Sequence, residues 1–333
     1  MLMSVLMALL TVVAGCGTQP ASPGSSGSPC RPATVPSQQA SLAPTTAPTS
    51  GFELDPSTQP VGLILDRDGS SVWLLGNGSN QVLHVRPDGA ATIYDLPVSG
   101  LGLQLSQAPD GTVWIPEQFR DSVMSIAPDG SARESRLPRQ NAEPLSTAVA
   151  ADGSVWVSES AAAYIARLVN DRWTETAIGV PGAKGSEILA ARDGGAWLAL
   201  QGAAVLAHVS AAGRVADFPF DGSGTALGLL QTADGAVWVA DFGGDRVVRV
   251  APDGGTTVWK LAGGAKPQSF AVAPDGTIWF TESGIDRLAR VSGTQTLDRV
   301  TTGAWPDHLV ITRDGWAWFT EYYQGALGRI RLG

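Results

Sequence analysis

Few side chains in this chain can move a proton near neutral pH. The 333 residues include three histidines, His84, His208 and His308. A histidine beside carboxylates is a candidate general acid or base, because its ordinary pKa lies near working pH. His308 has such neighbours: Trp305, Pro306 and Asp307 precede it, and Glu321, Tyr322 and Tyr323 follow one strand-turn-strand later. Asp307 and Glu321 are hard oxygen donors that could share a divalent cation. Trp305, Tyr322 and Tyr323 add aromatic faces, which with a few polar groups suit a ring-shaped or sugar ligand.

What must position these residues is a repeat. A Trp recurs at 73, 114, 156, 197, 238, 279 and 318, at intervals of 41, 42, 41, 41, 41 and 39. Around it an apolar strand runs into a turn such as Pro274-Asp275-Gly276, and a second strand carries the Trp. Pro presets φ for such a turn, Asp bonds its own backbone, and Gly takes the left-handed residue. A strand-rich period near forty reads as one propeller blade per repeat. The expectation is an all-β, seven-bladed β-propeller over 51–333, with four strands, A to D, in each blade. In blade 6 these fall at 268–273, 277–281, 287–291 and 296–300. The A–B and C–D turns share one face of the disc; the B–C and D–A loops share the other, here the top face. Blade 7 reaches only strand C, at 327–330, and Phe52-Glu53-Leu54 matches Tyr94-Asp95-Leu96 of strand D in blade 1. Residues 51–55 are therefore expected to complete blade 7 and close the ring, which removes edges that would template aggregation.

The repeat phase sorts the polar residues. Eleven positions after each Trp stand His84, Ser125, Arg167, His208, Arg249, Arg290 and Arg329, so His84 and His208 read as structural members of an Arg slot. Three positions after it stand Glu117, Glu159, Asp241, Glu282 and Glu321, against Gly76 and Leu200. A residue so regular reads as a consensus that bonds a neighbouring blade or an Arg; Glu282 and Glu321 are singled out by their neighbours. Eleven positions before the Trp, where strand A begins at the channel mouth, stand Leu103, Leu145, Ser186, Leu227, Gln268 and Asp307, with Val61 nearby in blade 1. Half this rim is apolar, and blades 6 and 7 hold its polar side. His308 falls outside these slots, and strict alternation along a strand turns it to the face opposite Asp307. The expected ligand contacts are Trp305, Asp307, Gln268, Glu282, Tyr322 and Tyr323, receiving a small molecule, a glycan or a protein at the top face.

Net charge is −9, with 22 Lys plus Arg against 31 Asp plus Glu, so no broad basic face exists and nucleic acid is not an expected partner. The two cysteines, Cys16 and Cys30, both precede the repeats. Residues 1–15 are an apolar run ending Val13-Ala14-Gly15-Cys16, which resembles the lipobox of bacterial lipoprotein signal peptides, although no Lys or Arg precedes it. The run is too short to span a bilayer, which favours a processed signal. Cys16 would carry the lipid, and 16–50, rich in Ser, Pro, Thr and Ala, would be a disordered tether. An extracytoplasmic monomer, touching the membrane only through its anchor, is the expectation.

Trp279-Phe-Thr-Glu282 and Trp318-Phe-Thr-Glu321, the Pro-Asp-Gly turns, and the strands Leu288-Ala-Arg-Val291 and Leu327-Gly-Arg-Ile330 resemble the streptogramin B lyase (virginiamycin B lyase) family over 60–333. The resemblance implies a seven-bladed propeller. It also implies elimination across an ester C–O bond of a cyclic depsipeptide, with a magnesium ion and histidines as acid and base. The family's histidines directly follow Pro at the start of strand A in the last two blades, where this chain has Gln268 and Asp307; its Glu before the last of these prolines is Trp305 here. Gln cannot give and recover a proton near neutral pH. Two readings follow. The first is a binding module without catalysis. The alternative is a lyase with His308 and Glu321 as its catalytic residues and with Asp307 and Glu321 holding magnesium. The residues by themselves demand no cofactor.

Overall fold

The computed structural model describes residues 30–44, 50–97, 100–292, 296–302 and 305–332; the apolar leader and Cys16 lie outside them. Each repeat folds as one antiparallel sheet, and among the described residues there are seven such sheets. Blade 6 shows the plan: Pro267–Val272, Ile278–Glu282, Arg287–Ser292 and Thr296–Thr301 are strands A to D in order. Strand A of one blade packs against strand A of the next in blades 3 to 7 and from blade 7 to blade 1, so the A strands wall the central channel.

The repeated indole fills the space between blades. Six of the seven are buried, and Trp114 alone is half-exposed. Each Trp is the direct cross-strand partner of the residue eleven positions on: Trp73 with His84, Trp156 with Arg167, Trp197 with His208, Trp238 with Arg249. The partner lies over the ring, His84 at 4.3 Å and Arg167 at 4.8 Å, and reaches a carboxylate of the A–B turn. His84 meets Asp66 at 2.9 Å, Arg167 meets Asp152 at 3.0 Å, and His208 meets Asp193 at 3.1 Å. This stack of indole, cation or imidazole, and carboxylate gives His84 and His208 the structural role their slot indicated.

Strand A carries one residue more than strand B beside it. The register slips between Pro60 and Leu63, Pro144 and Ser146, Gly185 and Ile188, Ala226 and Leu229, Pro267 and Phe270, and Pro306 and Leu309. A bulge at the same place in six blades is part of the repeat, not a local accident. Hydroxyls on strand B hold it: Thr281 Oγ1 accepts the N–H groups of Gln268 (3.3 Å) and Ser269 (3.1 Å), Thr320 accepts His308 N–H (3.1 Å), and Ser158 accepts Ser146 N–H (3.1 Å). The Thr of the Trp-Phe-Thr-Glu motif is thus the residue that pins the bulge.

Closure follows the repeat phase. Ser50–Glu53 pairs antiparallel with strand C of blade 7, Ala326–Arg331. Phe52 is buried 5.8 Å from Trp318, in a cluster that also holds Leu63 and Leu74 of blade 1. Gly51 lies so near the Leu327 carbonyl that a Cβ would not fit.

The expectation of a disordered 16–50 is corrected for residues 30–41. Cys30–Ala33 adds a fifth strand to the outer edge of blade 2, and Ser37–Ser41 does the same on blade 1. The chain then bridges Pro44 to Phe52 before entering blade 7. Strand addition uses only backbone N–H and C=O groups, so a sequence without apolar periodicity can still satisfy an open edge. Cys30 is correspondingly not a loose thiol. It is buried, its Sγ lies 3.3 Å from Ser135 Oγ, and burial pushes its pKa up.

Phe52→Ala should cost about 3–5 kcal/mol of stability, as truncation of a buried aromatic usually does. Urea denaturation measures this; a loss under 1 kcal/mol would mean that the closure strand is not holding blades 7 and 1 together.

Candidate functional site at the channel mouth

Because of the bulge, Asp307 and His308 both stand opposite the single residue Thr320. Strict alternation therefore fails here, and the expectation that His308 turns away from the channel is corrected. Its position is also a repeat slot after all. Ten residues before the Trp in blades 3 to 7 stand Ser146, Glu187, Gly228, Ser269 and His308, the second bulge residue of each of these blades. This slot tends to staple neighbouring blades. Ser146 Oγ accepts the N–H of Ile188 (3.4 Å), Glu187 Oε1 that of Leu229 (3.4 Å), and Ser269 Oγ that of Leu309 (3.1 Å).

His308 and Asp307 are buried, with His308 Nδ1 3.6 Å from Asp307 Oδ2. Burial works against the imidazolium, but the charges of Asp307 and Glu187 outweigh it, and the His308 pKa rises. Glu187 is pushed up to about 7, chiefly by burial and further by Asp307, against the opposing pull of His308 and the Leu229 N–H. Glu187 belongs to blade 4 and His308 to blade 7, which are never adjacent in a ring of seven. Each still acts on the charge of the other, so ring closure makes them an electrostatic pair between non-adjacent blades. Glu187 is the residue that sequence reasoning missed. The signal existed, one position beyond the slot that was counted.

Above this pair lies the aromatic group expected at the top face. Trp305 meets Tyr323 edge to face at 5.4 Å, and Tyr323 meets Tyr322 at 5.2 Å. Tyr323 is 56% exposed, whereas Tyr322 is half-buried and its phenol pKa is raised by burial, by Tyr323 and by Asp307. Trp305 takes φ +40°, held by its N–H donating to Asp286 Oδ1 at 2.7 Å. Gln59, Glu143 and Lys266 also take positive φ immediately before the proline of strand A, so this backbone belongs to the repeat.

The remaining candidates are placed less centrally. Gln268 is half-buried at the blade 6 bulge beside Asp307, whose carbonyl accepts a hydrogen bond from Thr281 Oγ1 (3.2 Å). Glu282 and Glu321 lie buried at the ends of their B strands, paired with Pro267 and Pro306. Their slot is structural in other blades. Ser122 donates to Glu117 (2.5 Å), Arg139 to Glu159 (2.7 Å), and Arg246 pairs with Asp241 (3.1 Å). No three His, Cys, Asp or Glu side chains are placed to share one cation among the described residues. Asp307 and Glu321 therefore have no third carboxylate, imidazole or thiolate grouped with them among the described residues.

The channel pair makes stability fall with pH. Between 4.5 and about 7 the folded chain keeps a proton on Glu187 that the unfolded chain has released, so this contribution is full below 4.5 and lost as pH rises through 7. The raised His308 pKa acts with the same sign above 6.5. Glu187→Gln should therefore lose about 1–3 kcal/mol less stability than the parent between pH 5 and 8. Denaturation midpoints at the two pH values test this, and parallel losses in both proteins would refute it.

Comparison with known proteins agrees with this architecture. The model of the Virginiamycin B lyase family matches residues 43–240 and 188–333. Virginiamycin B lyase of Nocardia farcinica is 34% identical over 112 residues, a match spanning 34% of this chain and 39% of that relative. A streptogramin B lyase structure superposes with TM-score 0.80 at 19% identity, over 89% of this chain and 98% of its own. The Staphylococcus aureus virginiamycin B lyase, as a catalytically inactive histidine-to-alanine form with quinupristin, gives 0.78 at 21%, over 90% and 100%. At such identities the superpositions establish the fold alone. The family match covers nearly all of the seven-bladed ring. The chain belongs to the Virginiamycin B lyase family.

Proposed function

We propose that the channel mouth at blade 7 binds a compact ring-shaped ligand of the cyclic peptide class, on a propeller displayed outside the cytoplasm by a lipid on Cys16. One observation carries the binding site: Trp305, Tyr323 and Tyr322 touch in series above the buried Asp307–His308 pair. The exposed Tyr323 ring offers contact area at small entropic cost, and the polar groups below can orient amide or ester groups. The anchoring half rests on the run ending Val13-Ala14-Gly15-Cys16.

A second reading, a C–O lyase, is favoured by one observation: the buried His308 lies 3.6 Å from the Asp307 carboxylate, with Glu187 of a non-adjacent blade acting on its charge. In that reaction a base takes the proton next to the carbon bearing the ester oxygen. The C–H electrons become a C=C bond, the C–O bond breaks, and its electron pair leaves on the ester oxygen, which takes up a proton. His308, oriented by Asp307, would be the base; Glu187, half protonated near pH 7, would supply a proton to the leaving oxygen. Both groups are the chain's own, so the reading does not need the histidine positions now held by Gln268 and Asp307.

Quinupristin is a suitable probe. Calorimetry should show binding, weakened about tenfold or more by Tyr323→Ala or Trp305→Ala. An unchanged affinity in both variants would remove the aromatic rim from the site. Incubation with and without magnesium, followed by mass spectrometry, tests the lyase: elimination shifts retention without changing mass, whereas hydrolysis adds one water. His308→Ala should stop turnover while leaving binding intact. For the anchor, Cys16→Ser should move the protein from the membrane fraction to the soluble extracytoplasmic fraction; retention in the membrane would exclude a lipid on Cys16.

A further inference from the structure

Six blades supply their own partner to the repeated indole, and blade 2 does not. Arg167, Arg290 and Arg329 lie 4.8, 5.6 and 5.2 Å over Trp156, Trp279 and Trp318. His84 and His208 take the place over Trp73 and Trp197, and Arg249 is cross-strand from Trp238 and pairs with Asp234 at 2.5 Å. Opposite Trp114 stands Ser125, whose hydroxyl turns instead to the Arg133 carbonyl at 3.3 Å. Arg133 itself is exposed, and no cation lies over Trp114 among the described residues. The consequence is visible in burial, since Trp114 is the one repeat indole that is only partly buried.

The vacated place is a cleft of ≈ 250 Å³ on the face opposite the channel mouth, between the A–B turns of blades 2 and 3. Trp114, Pro109 and Asp110 line it from blade 2, and Ala151, Asp152 and Gly153 from blade 3. Asp110 is exposed and occupies the turn position that holds the guanidinium elsewhere, as Asp152 holds Arg167 at 3.0 Å. Its described bond is one to its own turn, from Thr112 N–H at 2.9 Å. An indole face and a carboxylate are thus set as in the neighbouring blades, with no intervening cation among the described residues.

We propose that this cleft is a subsite for a guanidinium, the side chain of an arginine presented by a peptide or protein partner. Four of the six equivalent places are filled by Arg and none by Lys, as expected where a planar cation must both stack on an indole and fork to a carboxylate. The chain's net charge of −9 favours the approach of a cation.

Nα-acetyl-arginine methylamide, titrated into ¹⁵N-labelled protein, tests the site through indole N–H resonances. The Trp114 resonance is identified by its loss in Trp114→Phe. A saturable shift of that resonance is expected, with a millimolar dissociation constant and about tenfold weaker binding of the uncharged citrulline analogue. Asp110→Asn, an exposed change, should weaken the arginine probe about fivefold to tenfold. Ser125→Arg, which restores the repeat residue, should abolish the response and raise Tm. The proposal is overturned by equal responses to the arginine and citrulline probes, by an unmoved Trp114 resonance, or by arginine binding that survives in Ser125→Arg.

Discussion

One extra residue near the start of strand A decides what this propeller can present to a ligand. In a regular strand Asp307 and His308 would face opposite sides, and one of them would be lost to the space between blades. The bulge sets two consecutive residues against one partner and lets both contribute where the channel opens. It persists because hydroxyls on strand B take up the N–H groups that a bulge would otherwise leave unpaired, as Thr281 and Thr320 do in blades 6 and 7. The same device serves stability and site. In blades 3, 4 and 6 the second bulge residue bonds the next blade, while in blade 7 that slot holds an imidazole.

Around this inner ring the fold manages its edges in two ways. Ser50–Glu53 enters blade 7 as a genuine fourth strand and buries Phe52 against blade 1. The segments Cys30–Ala33 and Ser37–Ser41 only line the outer edges of blades 2 and 1. Their hold is mainly through the backbone, with Cys30 tucked beside Ser135 as a side-chain contact. The N-terminal segment therefore runs backwards along the rim, from blade 2 to blade 1 to blade 7, and fastens the side of the ring that carries the aromatic group. The opposite face is governed by the indole stacks, whose single interruption at Ser125 creates the cleft over Trp114.

Much of this was readable beforehand, and the limits have physical causes. Side chains that repeat with the blade announce themselves by spacing, so the blade count, the roles of His84 and His208, and the matching of Phe52-Glu53-Leu54 to a D strand could be found by counting. The rim strands could not, because backbone pairing leaves no mark on residue type. Glu187 was overlooked for another reason. Counting eleven back from the Trp selects the first bulge residue, and only the slipped register makes the next one equally important.

By itself the sequence determined how many wedges the ring has, which residue each contributes to every slot, and which end of the chain completes the last wedge. These follow from periodicity, which is a property of the chain alone. Only the tertiary structure decided that residues of blades 4 and 7 answer to each other. Glu187 and His308 hold the same repeat slot 121 positions apart, in blades that are not adjacent, and only closure of the disc brings their charges to bear on one another.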